Sequence, residues 1–307
     1  MKVLSLFDGI SCGMVALERA GISVEKYAAY EIDKYAIKTS VKNYPQIEHR
    51  GNVFDGDFTQ YKGFDLLIGG SPCTYWSIAK NHREITTEGE GFRLFMEYVR
   101  ALKESKCKYF IYENNYSIHK NIKSEITKKL GVEPIMINSA LVSAQQRKRC
   151  YWTNIPNVIQ PEDKEILVKD ILESGVAWQG KTYCLTSSYN GIYLKNTLKR
   201  HQRTMVAEPV RIGDIGSNSQ GHRVYSVCRK SVTISSGGGG QGGSTGLYKI
   251  DLPDGDYIIR KLSPVECERL QTLPDNYTEG VSNAQRYKQL GNGWTVDVIA
   301  HILKFIK

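Results

Sequence analysis

The 307-residue sequence lacks the spacings that mark a metal centre or a disulfide scaffold. Its seven cysteines are odd in number and no two form a CxxC pair, which argues against a disulfide framework and against a structural zinc site. No HExxH or comparable histidine cluster is present, so no catalytic metal is expected. Long hydrophobic runs are missing too. The amino end, "MKVLSLFDGI", meets Asp8 after a short apolar stretch, too short for a signal peptide or a membrane span. The expectation is a cytoplasmic protein with no membrane partner. Cys12, Cys107, Cys150, Cys184, Cys228 and Cys267 read as small packed hydrophobes or solvent-facing thiols.

What the chain does have is enough apolar content, 41%, to build a proper core, and a formal charge of +9. That balance favours a polyanionic partner such as nucleic acid, although a solvated basic surface gives it as well.

The first half alternates strand-like segments ("KVLSLF", "KYAAYEI", "FDLLIG", "KYFIYE", "EPIMIN") with helix-period ones ("GMVALERAG", "DKYAIKTSVKNY", "FRLFMEYVRALKES", "IKSEITKKL"). The alternation predicts an α/β fold with a doubly wound, mostly parallel sheet. After "RCYWTNIP" the pattern turns to short strands, scattered basic residues and the run "SSGGGGQGGSTG", Ser235 to Gly246. Such a run is either a flexible linker or backbone that approaches a ligand closely. A smaller, irregular second domain is therefore expected over 158–280, with the main domain formed by 1–157 and completed by 281–307. Helical signals return at "SPVECERLQTL", where Ser263, Pro264 and Glu266 form an N-cap, first residue and capping-box partner. "SNAQRYKQL" repeats the box with Ser282 and Gln285, and "TVDVIAHILKFI" places Val296, Ile299, Ile302 and Ile306 at helical intervals.

Several residues fall where an open α/β sheet places its chemistry, at the carboxyl ends of strands. In "LFDGISCG", Gly9 and Gly13 allow either a tight turn or close approach of backbone to a ligand. The second strand ends in "YEID", where Glu31 is either a ligand for ribose hydroxyls or a solvated carboxylate capping the next helix. "IGGSPC" carries Cys73 beyond a strand end, with Pro72 fixing the backbone before it. A lone buried cysteine is most often inert, but one presented at this edge beside an acid suggests covalent catalysis with proton donation. Glu113, closing "KYFIYENN", is that acid. "QQRKRCYW" puts Arg147 and Arg149 on one face if extended, which is also how a basic surface strand would read.

Taken together, "FDGISCG", "GGSPC", "ENN", "QQRKR", "RKLSPVECERLQTLP" and "QLGNGW" occur in the order and approximate spacing of the DNA (cytosine-5) methyltransferases. The chain resembles that family along nearly its whole length outside the variable segment, and "NSALVSAQQRKRCYWTNIP" and "GNGWTVDVIAHI" look most like the animal de novo subgroup and its phage and bacterial relatives. The resemblance implies a Rossmann-like methyltransferase fold with S-adenosyl-L-methionine as methyl donor. It assigns Phe7, Asp8, Gly9, Ile10 and Gly13 to the loop around the methionine part, Glu31 and Ile32 to the ribose end, Asn52 and Val53 to the adenine, and Pro72, Asn292 and Trp294 to the rest of the pocket. Cys73 is implied as nucleophile at C6 of cytosine, Glu113 as the acid at N3, Arg149 as a contact to O2, and Arg147 as its support.

Departures are Asn52 where aspartate is usual, Thr74 where many members have glutamine, and Asn115 where valine usually follows Glu-Asn. None removes a reacting group. Further implications are a flipped cytosine in double-stranded DNA, a mobile loop at "SIAKNHREITTEGEGFR" with Tyr75 and Trp76 lining it, base reading by "SVTISSGGGG", a monomer, and a bacterial or phage-infected cell where the enzyme sits on the nucleoid and a cognate restriction endonuclease can accompany it. Rival readings are a transfer-RNA cytosine-5 methyltransferase and a catalytically silent DNA-binding paralogue. A folate-using nucleotide methylase also adds cysteine to C6, but lacks this acid and glycine loop.

Overall fold

The computed structural model describes residues 1–76, 83–175, 177, 179–187, 189–191, 204–209, 224–226, 247–249 and 257–306, with backbone alone for Cys73 and for 207–209, 224–226, 247–249 and 257–259. Its centre is a seven-stranded sheet, built from β1 (Lys2–Leu6), β2 (Lys26–Tyr30), β3 (Glu48–His49), β4 (Leu66–Gly69), β5 (Tyr109–Asn115), β6 (Ile135–Asn138) and β7 (Lys148–Thr153) in the order β3-β2-β1-β4-β5-β7-β6. β3, β2, β1, β4 and β5 run parallel; β7 is antiparallel to both of its neighbours. The expected doubly wound sheet is therefore present, closed by a reversed strand.

Burial on both faces explains why these segments read as nearly continuous apolar runs. Val3, Leu66, Ile68 and Ile111 belong to one core, and Leu4, Leu67, Phe110 and Tyr112 to the other. The alternation follows from successive side chains pointing to opposite faces of a strand. Helices α1 (Cys12–Arg19) and α2 (Lys34–Asn43) follow β1 and β2, while α3 (Glu90–Ser105) and α4 (Lys120–Leu130) flank β5 in sequence. Phe92, Phe95 and Tyr98 of α3 fill the second core. The first is completed from the carboxyl end by α5 (Pro264–Leu270), α6 (Asn283–Asn292) and α7 (Val296–Leu303), with α7 packed on α1. In that packing the Tyr277 hydroxyl donates to the Ile10 carbonyl at 2.7 Å and Arg19 pairs with Asp297 at 2.6 Å.

In the compositionally distinct segment, β8 (Met205–Pro209) pairs antiparallel with β11 (Tyr257–Lys261), and β9 (Val224–Ser226) pairs parallel with β10 (Leu247–Lys249). The glycine run 235–246 and the proposed base-reading stretch 231–240 lie outside the described residues. Val168, Ile171, Leu185, Tyr189, Leu262, Cys267, Leu270, Leu273 and Tyr277, all within 158–280, are buried in the same core as α1 and α7.

Local signals differ in outcome. Ser263 caps α5 with both halves of the capping box, as its sequence predicts. Ser282 caps α6 by accepting from Gln285 N, but the reciprocal bond is missing and Gln285 Oε1 has no partner. α7 ends at Leu303, so Ile306 packs on the core from beyond the helix. The loop expected over 77–93 ends sooner, because Glu90 to Arg93 already belong to α3; residues 77–82 lie outside the described part. Trp76, expected to line the adjoining loop, packs inward. It is fully buried in the second core, its apolar ring being worth more there than at an edge.

Candidate active site

The loop after β1 is built on alternating left-handed residues: Phe7 (φ 58), Gly9 (φ 61) and Ser11 (φ 61). Left-handed backbone is unfavourable for a bulky residue such as Phe7, and strain of this kind collects at ligand-binding turns. Asp8 anchors the turn from within, because its carboxylate accepts from the hydroxyls of Ser5 (2.6 Å), Ser11 (2.5 Å) and Tyr27 (2.6 Å). A Cβ on Gly9 would meet nothing within 4 Å, so this glycine answers to its φ and leaves open space. Gly13 differs. Its position inside α1 is filled by Ile68 and the Tyr27 hydroxyl, which would lie 2.3 and 2.8 Å from a Cβ. Ile10 is buried, 2% exposed, and Phe7 is half-buried.

Glu31 follows β2 directly. Its Oε2 accepts from Gly9 N and its Oε1 from Ile32 N and Asp33 N, each at 2.8 Å. Burial raises its proton affinity, against the pull of those amides. It does not cap α2; Asp33 does, accepting from Tyr35 N. A carboxylate can accept about four hydrogen bonds and three are used here, so Glu31 keeps acceptor capacity at the strand end, and that chemistry fits the diol of the adenosyl part of S-adenosylmethionine. Ile32 is 73% exposed beside it. Asn52 accepts from Phe54 N at the head of a 3-10 turn, Val53–Asp55, and Val53 is buried.

At the next strand, the Gly69-Gly70 pair has a packing cause that sequence reading missed. A Cβ at Gly69 would lie 2.6 Å from the Leu6 carbonyl, and one at Gly70 would lie 2.7 Å from the Glu113 carbonyl and 3.1 Å from its Oε2. Pro72 is exposed, and Cys73 opens a 3-10 turn, Cys73–Tyr75. The Cys73 side chain lies outside the described part.

Glu113 is the best-organised group. Arg149 Nε stands 2.9 Å from its Oε1, and the Trp294 indole N–H donates to its Oε2 at 3.0 Å. Both partners of this ion pair are mostly buried, with side chains 12% and 13% exposed, so their attraction is little screened. The antiparallel register, Glu113 opposite Tyr151 and Asn115 opposite Arg149, sets which β7 side chains share the face of Glu113. Trp294 thus reaches the acid, while Asn292 ends α6 exposed.

Arg147 is 4% exposed and spends its guanidinium on the carbonyls of Leu185 (3.0 Å), Gly291 (3.2 Å) and Gly293 (2.9 Å) and on Cys184 Sγ (3.4 Å). Beside it lies a buried amide knot between the "QQRKR" and "RKLSPVECERLQTLP" motifs, to whose glutamines sequence reading gave no role. Gln145 accepts from Leu185 N and donates to the Leu270 carbonyl, and Gln271 accepts from Gln145 and Thr295 while donating to the Leu290 carbonyl. Among the described residues no His, Cys, Asp and Glu group could hold a metal ion, and no helix is long and apolar enough to cross a membrane.

Comparisons with known proteins identify the family. The family model for "C-5 cytosine-specific DNA methylase" matches residues 1–307. The chain is 30% identical to the type II methyltransferase M.HhaI of Haemophilus parahaemolyticus, over 98% of this chain and 93% of that protein. It is 25% identical to the orphan methyltransferase M.SPRI of Bacillus phage SPR, over 99% and 97%. In fold it is similar to the Entamoeba histolytica methyltransferase EhMeth, with a TM-score of 0.68 at 17% identity over 99% of this chain and 97% of that one. Spodoptera frugiperda DNMT2 gives a TM-score of 0.65 at 16% identity, over 99% and 98%. The chain belongs to the C-5 cytosine-specific DNA methylase family, whose methyl donor is S-adenosylmethionine.

Proposed function

We propose that the enzyme methylates C5 of a cytosine rotated out of a specific duplex sequence, through a transient bond between Cys73 and C6 of the base. The observation that carries this reading is the Trp294–Glu113–Arg149 constellation, packed against Gly70 only a short way before Cys73 in the chain. Cytosine C5 is a poor nucleophile until C6 has been attacked, and a thiolate at Cys73 supplies that attack. As the S–C6 bond forms, the ring electrons move toward N3, where Glu113 hydrogen-bonds or gives a proton; Arg149 meets the charge at O2. Trp294 fixes the Glu113 carboxyl, and Arg147 fixes the strand that bears Arg149. When bound, S-adenosylmethionine supplies an electrophilic methyl group to the activated C5. Loss of the C5 proton and breakage of the S–C6 bond then return the free thiolate and the aromatic ring.

For the cofactor, Glu31 and Ile32 would hold the ribose end, Asn52 and Val53 the adenine, and Phe7, Asp8, Gly9, Ile10 and Gly13, with Pro72, Asn292 and Trp294, the remainder. Residues 158–280 would carry target recognition, its described ends anchored in the main core. Flipping the base costs roughly a few kcal/mol, offset by contacts to the pocket and phosphates. The enzyme acts as a monomer on the bacterial or phage chromosome, with or without a cognate endonuclease.

The test is bisulfite sequencing of DNA from a host expressing the chain, joined to trapping on a 5-fluorocytosine duplex. A methylated motif and an adduct at Cys73, absent in Cys73→Ala, are expected. Unmethylated DNA with methylated transfer RNA, or active enzyme without an adduct at Cys73, would overturn the reading.

A further inference from the structure

Cys184 lies in the segment that enters the small domain, half-buried, away from the motifs that carry the family resemblance. Its sulfur nevertheless stands 3.4 Å from Arg147 Nη1 and 3.8 Å from Arg149 Nη2. We propose that Cys184 is a positioning residue for methyl transfer, a thiolate that bridges the two arginines and keeps Arg149 aligned on Glu113. This rests on the assignment of Arg149 and Glu113 to the reacting base.

An independent observation points the same way. Arg147 is almost fully buried, and its partners among the described residues are carbonyl oxygens and this sulfur, with no carboxylate. A buried cation without a counter-charge is costly, and Cys184 is the contact able to carry a negative charge. Among the described residues, the charged groups around the sulfur are Arg147, which immediately precedes β7, and Arg149 of β7, with Glu113 of β5 behind Arg149; from α6 the Gly291 carbonyl accepts from Arg147. Burial acts to raise the thiol, yet the two guanidinium groups outweigh it and hold Cys184 below the ordinary cysteine range. When protonated, the thiol can donate to the Leu185 carbonyl at 3.4 Å, an acceptor already serving Arg147. Protonation thus replaces a bridge between two cations with a competing contact to one carbonyl.

The experiment uses the full chain. Iodoacetamide labelling of Cys184, followed by peptide mass spectrometry across about pH 6 to 9, should give a midpoint clearly below the ~8.5 of free cysteine. A midpoint at or above that value overturns the proposal. In steady-state assays, Cys184→Ala and Cys184→Ser should each lower kcat by about tenfold with KM for S-adenosylmethionine unchanged, and Cys184→Asp, which keeps the charge, should recover most of it. Wild-type kcat in Cys184→Ala, or equal loss in Cys184→Asp and Cys184→Ala, overturns it. The 5-fluorocytosine adduct in the same samples separates the two readings. Slow adduct formation at Cys73 in Cys184→Ala supports the positioning role, wild-type adduct formation refutes it, and no adduct in the parent enzyme refutes the covalent mechanism itself.

Discussion

At the scale of single residues, Gly70 shows how a position without a side chain can govern chemistry. Any Cβ there collides with the backbone and carboxyl of Glu113. Gly70→Ala is therefore expected to displace the acid and lower kcat by about tenfold or more, since small misplacements of a reacting group carry such losses. Melting temperature and cofactor affinity measured alongside should change far less. Thiols give a second residue-level prediction. Burial pushes Cys12 up to about 12, against the Trp294 backbone N–H and Arg147, which act to lower it. Its folded value is raised, so the stability it contributes is fully present below the ordinary thiol value near 9.0 and is lost as pH rises toward 12. Thermal melts from neutral to alkaline pH should show a smaller decline in Cys12→Ala than in the parent. The places of Glu113 and Glu31 in the fold were legible in the sequence because each sits at the end of an apolar run, where an open sheet presents its side chains. The reason for Gly70, the grip of Trp294 on Glu113, and the immersion of Arg147 were not, because each depends on contacts between residues distant in the chain.

At the scale of elements, local rules predicted helix starts and the mostly parallel sheet, and left the direction of one strand unread. The capping box of α5 ties Ser263 to Glu266, and the Glu266 carboxylate also receives Arg260. Ser263→Ala should cost about 1 kcal/mol and Ser263→Asp much less, read by chemical denaturation. α6 shares the Ser-x-x-Gln spacing but makes one bond of the two, so a motif's spacing did not secure its reciprocal partner. The reversed β7 was hidden for a related reason. Residues 139–147 between β6 and β7 hold one 3-10 turn, Ser139–Leu141, in place of a crossover helix, and hydrophobic period alone carries no direction. That reversal matters, because the β5–β7 register sets Asn115 against Arg149.

For the whole molecule, an excess of basic residues implies binding dominated by phosphate contacts. Affinity for duplex DNA should fall steeply with added salt, log Kobs declining linearly with log salt, and most of this dependence should persist on duplexes lacking the target motif. A flat salt response would contradict that account. One core is also assembled from both ends of the chain. Trp294 closes over Glu113, α7 covers α1, and Tyr277 ties down the carbonyl of Ile10 in the first turn. A ribosome-bound nascent chain that has emerged only through β7 thus carries Glu113 and Arg149 but neither the indole donor nor the cover of its first helix. Synthesis itself would then act as a safeguard: a product that stops after β7 is expected to be inert, an outcome that a methyl-transfer assay on the truncated chain checks.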